Sequence, residues 1–206
     1  MGDVRGGGMS QLTAFVLVII LAVPMAHASE QQRGSRDLKR MLEERYRPSR
    51  IEINDPARQG QVTRVGKLLV LAVDAVPAKP FRVIRVDPRS PRVHVMDFAR
   101  VDIGADSNIM AEPGALTLRQ GTRLVVLDVR VTGSEVHLLT HTAEPVTAAR
   151  GEPPVYGCTE FVFHLDSRVA ASRDVARVIH TIERWLEWTP QERWCAPGND
   201  QLCLEP

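Results

Sequence analysis

Histidines supply the first candidate chemistry in this chain. His137 and His141 are four residues apart, a spacing at which two histidines on a helix can bind one zinc ion. The surrounding sequence VHLLTHT predicts a strand instead, and four strand residues span about 13 Å, too far for both rings to reach one metal. A metal site would therefore need ligands from several strands. The candidate metal ligands are His94, His137, His141 and His164.

Cys158 is the candidate nucleophile. It follows Gly157 in the sequence YGCTE, downstream of His141. A catalytic cysteine needs a histidine that holds it as thiolate and N–H donors that stabilise an oxyanion. Cys158 and His141 are therefore the candidate catalytic residues. The alternative is a cysteine that is simply buried in a strand or bonded in a disulfide.

The segment around Cys158 resembles the L,D-transpeptidases, exported enzymes that crosslink peptidoglycan through a cysteine. The resemblance rests on Gly157-Cys158 and on the upstream His141. That family surrounds its cysteine with Ser-x-Gly-Cys-x-Arg/Asn, whereas this chain has Val155 and Glu160 at the two flanking positions. Both flanking roles are thus missing, although a cysteine-dependent cell-wall enzyme remains an alternative function.

The composition excludes several kinds of partner. Lys and Arg number 26 and Asp and Glu 25, so the chain lacks the excess of basic residues typical of a nucleic-acid binder. Aromatic residues make up only 5%, too few for a surface that stacks bases or sugars. The 44% of hydrophobic residues is typical of a folded domain.

Residues 1–28 predict a cleaved export signal. The apolar run LTAFVLVIILAV covers residues 12–23, and Ala26-His27-Ala28 has the small-x-small form of a signal-peptidase site. Twelve helical residues span about 18 Å, short of a bilayer core of roughly 30 Å. We therefore expect a periplasmic or secreted protein without a membrane span after cleavage, whether translation starts at Met1 or at Met9.

An oxidising compartment makes the three cysteines candidates for a disulfide. Cys195 and Cys203 close the short loop CAPGNDQLC, whose composition favours turns. The predicted bridge is Cys195–Cys203, with Cys158 as the remaining thiol. A bridge from Cys158 to either of the other two is the alternative.

The remaining sequence predicts an α+β domain over residues 37–188, after a flexible lead at 29–36 and before a Cys-containing tail at 189–206. Apolar residues recur at helical spacing over 37–46 and 172–188, with Ser172 or Asp174 starting the second helix and Thr189-Pro190 ending it. Strands are predicted at 66–76, 81–86, 92–103, 122–131, 134–142 and 156–165. We expect an antiparallel sheet or small β-barrel, flanked by the two helices.

Five phrases together resemble a family of uncharacterised exported bacterial proteins. They are LEERYRPS (42–49), GQVTRVGKLLVL (60–71), GTRLVVLDVRV (121–131), THTAEPV (140–146) and YGCTEFVF (156–163). The resemblance implies a β-rich domain between helices and an envelope location, without a catalytic residue or a cofactor. The favoured function is a non-catalytic binding or assembly module with an envelope protein as partner, and a metal-binding periplasmic protein is a further alternative.

Overall fold

The computed structural model of the chain describes residues 34–85, 94–146, 155–166, 169 and 174–188. The predicted export signal at 1–28 and the tail with Cys195 and Cys203 lie outside these described residues. The described chain is mixed α/β, with two helices and a strand-rich curled sheet that forms a half-barrel. The predicted α+β class is therefore confirmed in part.

Helix α1 covers residues 34–46, so helical structure already begins inside the segment predicted as a flexible lead. Helix α2 is Val175–Glu183, and the Asp174 side chain caps it by accepting a hydrogen bond from the Arg177 N–H at 3.1 Å. The prediction that this helix continues to Trp188 is wrong. The chain turns at 184–185, and Leu186–Trp188 forms a strand that pairs with an edge of the sheet. Edge pairing satisfies backbone groups there, which helical periodicity alone could not reveal.

The strands of the described chain are short except for three long ones in the middle of the sheet. They are β1 (Arg50–Ile51), β2 (Val62–Arg64), β3 (Leu68–Leu71), β4 (Val76–Pro80), β5 (Val83–Arg85), β6 (His94–Met96), β7 (Ala99–Ile103), β8 (Ile109–Ala111), β9 (Leu116–Leu118), β10 (Arg123–Thr132), β11 (Glu135–Thr142), β12 (Gly157–His164) and β13 (Leu186–Trp188).

The main sheet has nine strands, seven of them in the order β13-β3-β10-β11-β12-β4-β9. Strand β12 also pairs with β7, which in turn pairs with β8. All these pairings are antiparallel except β7 with β12, which is parallel, so the prediction of an antiparallel sheet is correct only in part. β1–β2 and β5–β6 are separate two-stranded ribbons.

The β10–β11 hairpin is the best-predicted part of the sheet. Gly133 in its connection has φ +61°, a conformation that glycine adopts without the steric cost of a Cβ. The two strands pair from Leu124 with Thr142 to Thr132 with Glu135, with one irregularity between Val126 and Asp128. This hairpin and β12 give the sheet its long central strands.

One face of the sheet packs against both helices. The main core contains Leu42 and Tyr46 from α1, Val178 and Ile182 from α2, and alternate residues of the long strands. A smaller apolar cluster of Val62, Leu68, Val125 and Ala143 involves the β1–β2 ribbon. Along β7, buried side chains alternate with half-buried ones, because successive side chains of a strand point to opposite faces of the sheet. The opposite face near β7, β11 and β12 is left partly exposed, and most of the candidate site residues lie there.

Candidate functional site

Cys158 and His141 are direct neighbours across the β11–β12 pair. His141 and Cys158 are register partners in this antiparallel ladder, so their side chains lie on the same face of the sheet. Both residues are fully buried. The structure therefore brings the two candidate catalytic residues together, which is the first requirement of a nucleophile–base pair.

His141 is held in one neutral form. Its Nδ1 lies 2.7 Å from the Thr142 carbonyl oxygen, which can only accept, so Nδ1 carries the proton. The ring stacks on Tyr156 with centroids 5.1 Å apart and meets Phe81 edge-on at 5.2 Å. Burial lowers the pKa of His141 to about 4. Its Nε2 has no hydrogen-bond partner among the described residues, so it accepts no hydrogen bond from the Cys158 thiol.

The Cys158 thiol is held in its protonated form. Burial raises its pKa to about 12, and the negative charge of Asp97 adds to the effect. A reactive cysteine shows the opposite shift, caused by a neighbouring cation or a helix N-terminus. The thiol forms no disulfide with any residue that the structure describes. Cys158 and His141 are adjacent in register, but both are neutral and buried. Their environment is that of core side chains.

His137 and His164 lie further along the same face, in a chain of charged groups. His137 is between two carboxylates, with Nδ1 3.0 Å from Glu160 and Nε2 3.2 Å from Glu135. His164 is 3.4 Å from the other oxygen of Glu135 through Nδ1. Glu135 thus joins the two histidines across β11 and β12, because it is the register partner of His164.

Strand β7 extends this chain of charges at its other end. The His164 Nε2 lies 2.9 Å from Asp102, whose two oxygens each accept a 2.8 Å hydrogen bond from the Arg100 guanidinium. The hydrogen bonds from Arg100, followed by that from His164, lower the pKa of Asp102 to about 2. We call the six residues Arg100, Asp102, Glu135, His137, Glu160 and His164 the outer-face network.

The three predicted metal ligands whose side chains are described do not form one site. His137 and His164 belong to the outer-face network, His141 is buried against Phe81 and Tyr156, and only the backbone of His94 in β6 is described. Within the described ranges, no group of three or more His, Cys, Asp or Glu side chains is arranged to hold a metal ion. The observed partners of His137 and His164 are the charged residues of the network.

Strand β8 offers the most exposed apolar side chains of the described structure. Ile109 is 54% exposed and Met110 is 71% exposed, and all three residues of the strand are exposed. β8 pairs with β7 alone, so its other edge faces no strand of the described chain. This strand was not predicted, because the flanking segments 104–108 and 111–114 have the composition of loops. The apolar pair Ile109-Met110 between those loops was the available signal.

Comparison of the chain with protein-family models, with curated proteins and with solved structures finds no match. The resemblance to exported bacterial proteins therefore stays a prediction. None of the helices in the described residues is long and apolar enough to cross a membrane. The evidence on function comes from the exposed surface of the described residues and from the protonation of the candidate residues.

Proposed function

We propose that this chain is an exported, non-catalytic module that binds an envelope protein by strand addition at β8. In this mode a partner segment extends the sheet, main-chain hydrogen bonds supply affinity, and side-chain contacts supply specificity. The observation that carries the proposal is the open, apolar edge of β8. A short exposed edge strand with large apolar side chains is otherwise a site of unwanted association.

On its outer side, the backbone of β8 pairs with no other strand of the described residues. The Glu112 N–H donates to Arg100 and the Asn108 carbonyl accepts from Gly104, so the even-numbered residues face β7. Because backbone groups alternate in direction along a strand, the N–H and C=O of Ile109 and Ala111 point away from β7. A partner strand would pair with these groups.

The side chains around β8 suggest the chemistry of the partner segment. Ile109 and Met110 point to opposite faces of the strand and would pack against apolar residues on both sides of an added strand. Asp106 and Glu112 are exposed at the two ends of β8. A complementary segment is therefore an extended apolar stretch with basic residues on its flanks.

The experiment replaces Met110 with a photo-crosslinking amino acid in cells that produce the full chain. We expect one envelope protein to crosslink at position 110. The substitution Ala111→Pro removes an outward N–H and leaves the hydrogen bonds to β7 in place, so it should abolish the adduct. Ala111→Ser, which keeps the N–H, is the matched control and should crosslink like the parent chain.

A crosslinker at the exposed Thr117 in β9 reports general proximity. Equal adducts at positions 110 and 117, or an adduct that survives Ala111→Pro, would contradict strand addition. The substitution Cys158→Ser tests the cysteine-dependent alternative. An impaired cell envelope in cells that produce this variant, with crosslinking at position 110 unchanged, would favour that alternative.

A further inference from the structure

A basic cleft lies where the end of α1 meets the segment between β2 and β3. Its volume is about 340 Å³, and its lining residues are Arg47, Pro48, Arg64, Val65 and Gly66. The lining includes two arginines and no acidic residue. It lies away from the Cys158–His141 pair, the outer-face network and β8.

Gly66 allows the two walls of this cleft to approach each other. A Cβ at position 66 would come within 1.3 Å of the Arg47 carbonyl oxygen, so only glycine fits there. The contact is fixed by a hydrogen bond from the Gly66 N–H to the Ser49 hydroxyl at 2.8 Å. Arg47 itself has φ +43°, a left-handed conformation that ends α1. The positions of the cleft arginines are thus set by packed backbone.

Like charges are gathered around this cleft. Arg50 and Arg64 are register partners across the β1–β2 ribbon, and both are exposed, an arrangement that is unfavourable in the absence of a counter-ion. Lys67 follows the cleft, with its ammonium 3.8 Å from the ring centre of Trp188. Burial lowers the pKa of Lys67, and the positive charges of Arg47 and Arg45 lower it further. Lys67 therefore lies close enough to these two arginines to be repelled by them.

The acids at the end of α1 and of α2 pair with other cations. Glu43 pairs with Lys39 at 3.5 Å, Glu44 with Arg40 at 2.9 Å, and Glu183 with Arg45 at 2.6 Å. No ion pair to Arg47, Arg50, Arg64 or Lys67 is formed within the part of the chain that the structure describes. Arg47 and Arg64 line the cleft, and Arg50 and Lys67 lie beside it in register and in sequence. None of the four has an acidic partner among the described residues.

The end of α1 does not neutralise these charges. A helix C-terminus carries the equivalent of roughly half a negative charge, and its effect fades within one turn. Four positive charges exceed that amount about eightfold. Water and mobile ions solvate these exposed side chains, and a bound anion would compensate their charge more directly.

We propose that this cleft binds a phosphate group, with Arg47 and Arg64 as its direct ligands and Lys67 and Arg50 as flanking charges. Guanidinium groups match phosphate oxygens in two-point hydrogen bonds. They match a carboxylate equally well, but several neighbouring cations favour the larger negative charge of a phosphate. The inference deepens the proposed binding function and depends on it, because it gives the module a second ligand besides the β8 partner. The phosphate can belong to a free ion or to an anionic lipid headgroup.

Calorimetry on the full chain with inorganic phosphate tests the free ion, and sedimentation with phosphatidylglycerol or phosphatidylcholine vesicles tests the headgroup. We expect Arg47→Gln and Arg64→Gln each to weaken binding about tenfold in whichever arm shows it. The exposed Arg119, on the far side of the sheet order near β9, gives the matched control Arg119→Gln, which should bind like the parent chain. Phosphatidylcholine vesicles measure the binding that comes from the apolar segment 12–23, and the variants are compared by their additional binding to phosphatidylglycerol.

Binding of inorganic phosphate that the cleft variants lose supports a free-ion site. Binding only to phosphatidylglycerol vesicles, lost in the same variants, supports a headgroup site. Absence of binding in both arms, or equal binding by the cleft variants and Arg119→Gln, overturns the inference. Crosslinking at Met110 is read separately, so failure here leaves the β8 proposal standing.

Discussion

Burial controls the chemistry of Cys158 and His141, the candidate nucleophile and its candidate base. Cys158 and His141 occupy the positions of a nucleophile and its base, yet both lie in the core without solvent access. Desolvation penalises the charged form of each group, so the thiol keeps its proton and the imidazole stays neutral. A thiolate–imidazolium pair would require the opposite shifts.

Cys158 should be almost unreactive in the folded protein. A pKa of about 12 in place of about 9 lowers the thiolate fraction at pH 8 roughly a thousandfold, and burial blocks access of the reagent as well. Site-resolved mass spectrometry of iodoacetamide-treated protein measures this rate, with the urea-unfolded chain as control. Comparable rates in both states would restore the cysteine-dependent alternative.

His141 should make the protein less stable in mild acid. Its pKa is about 4 when folded and about 6.5 when unfolded, so its contribution is fully present above pH 6.5 and is lost as pH falls towards 4. The expected loss is roughly 3 kcal/mol. Urea unfolding at pH 7, 5.5 and 4 should show this slope in the parent chain.

The substitution His141→Asn serves as the matched variant, because an amide N–H can still donate to the Thr142 carbonyl. This variant should lack the part of the slope that His141 contributes. Identical pH dependence in the two proteins would mean that His141 titrates as it does in the unfolded chain.

At the scale of elements, three strands from distant parts of the sequence create the outer-face network. β7 supplies Arg100 and Asp102, while β11 and β12 supply the histidines and the remaining carboxylates. The parallel β7–β12 pairing sets this register, with Asp102 opposite Val162 and therefore next to His164. The network stabilises this arrangement, because each histidine contacts two carboxylates.

Removal of the Asp102 carboxylate tests the contribution of the network. Asp102→Asn should lower the free energy of unfolding at pH 7 by about 1–2 kcal/mol. The pKa of Asp102 is lowered to about 2, so its contribution is present above about pH 4 and is lost as pH falls towards 2. The difference between the two proteins in chemical denaturation should shrink over that interval.

The exposed Asp74 provides a control for the loss of one negative charge. Asp74→Asn should change the unfolding free energy by less than about 0.5 kcal/mol. An equal effect of the two substitutions would show that the network does not stabilise the fold beyond general electrostatics.

At the scale of the whole molecule, the proposed export would place the open β8 edge and the basic cleft in contact with the envelope. Both surfaces would remain available after removal of residues 1–28, since neither includes that segment. The predicted Cys195–Cys203 bridge lies outside the described residues and stays a prediction.

Export itself is tested by N-terminal sequencing of the protein recovered outside the cytoplasm. The mature chain should begin at Ser29, after cleavage following Ala28. Ala28→Leu should block processing because the cleavage site requires a small residue, while Ala14→Leu inside the apolar run should be processed normally. Recovery of an unprocessed chain in the cytoplasm would contradict the proposal.

Local patterns predicted those features that depend on neighbouring residues alone. The helix over 37–46, the Asp174 cap and the β10–β11 hairpin all follow from periodicity and turn chemistry. The end of α2, the β8 strand and the Pro77-containing β4 strand did not follow, because their backbone groups are satisfied by partners far away in the chain.

The sequence by itself determined the composition, the apolar segment 12–23 and the amphipathic periods, since these need no knowledge of distant contacts. Only the tertiary structure decided which side chains contact one another and which of them are buried. Hydrogen bonds, burial and charge separations depend on which strands are neighbours, so the inert Cys158–His141 pair and the outer-face network could not be assigned from spacing. The near-zero net charge likewise concealed a local excess of cations, because a sum over the chain carries no information about where its charges meet.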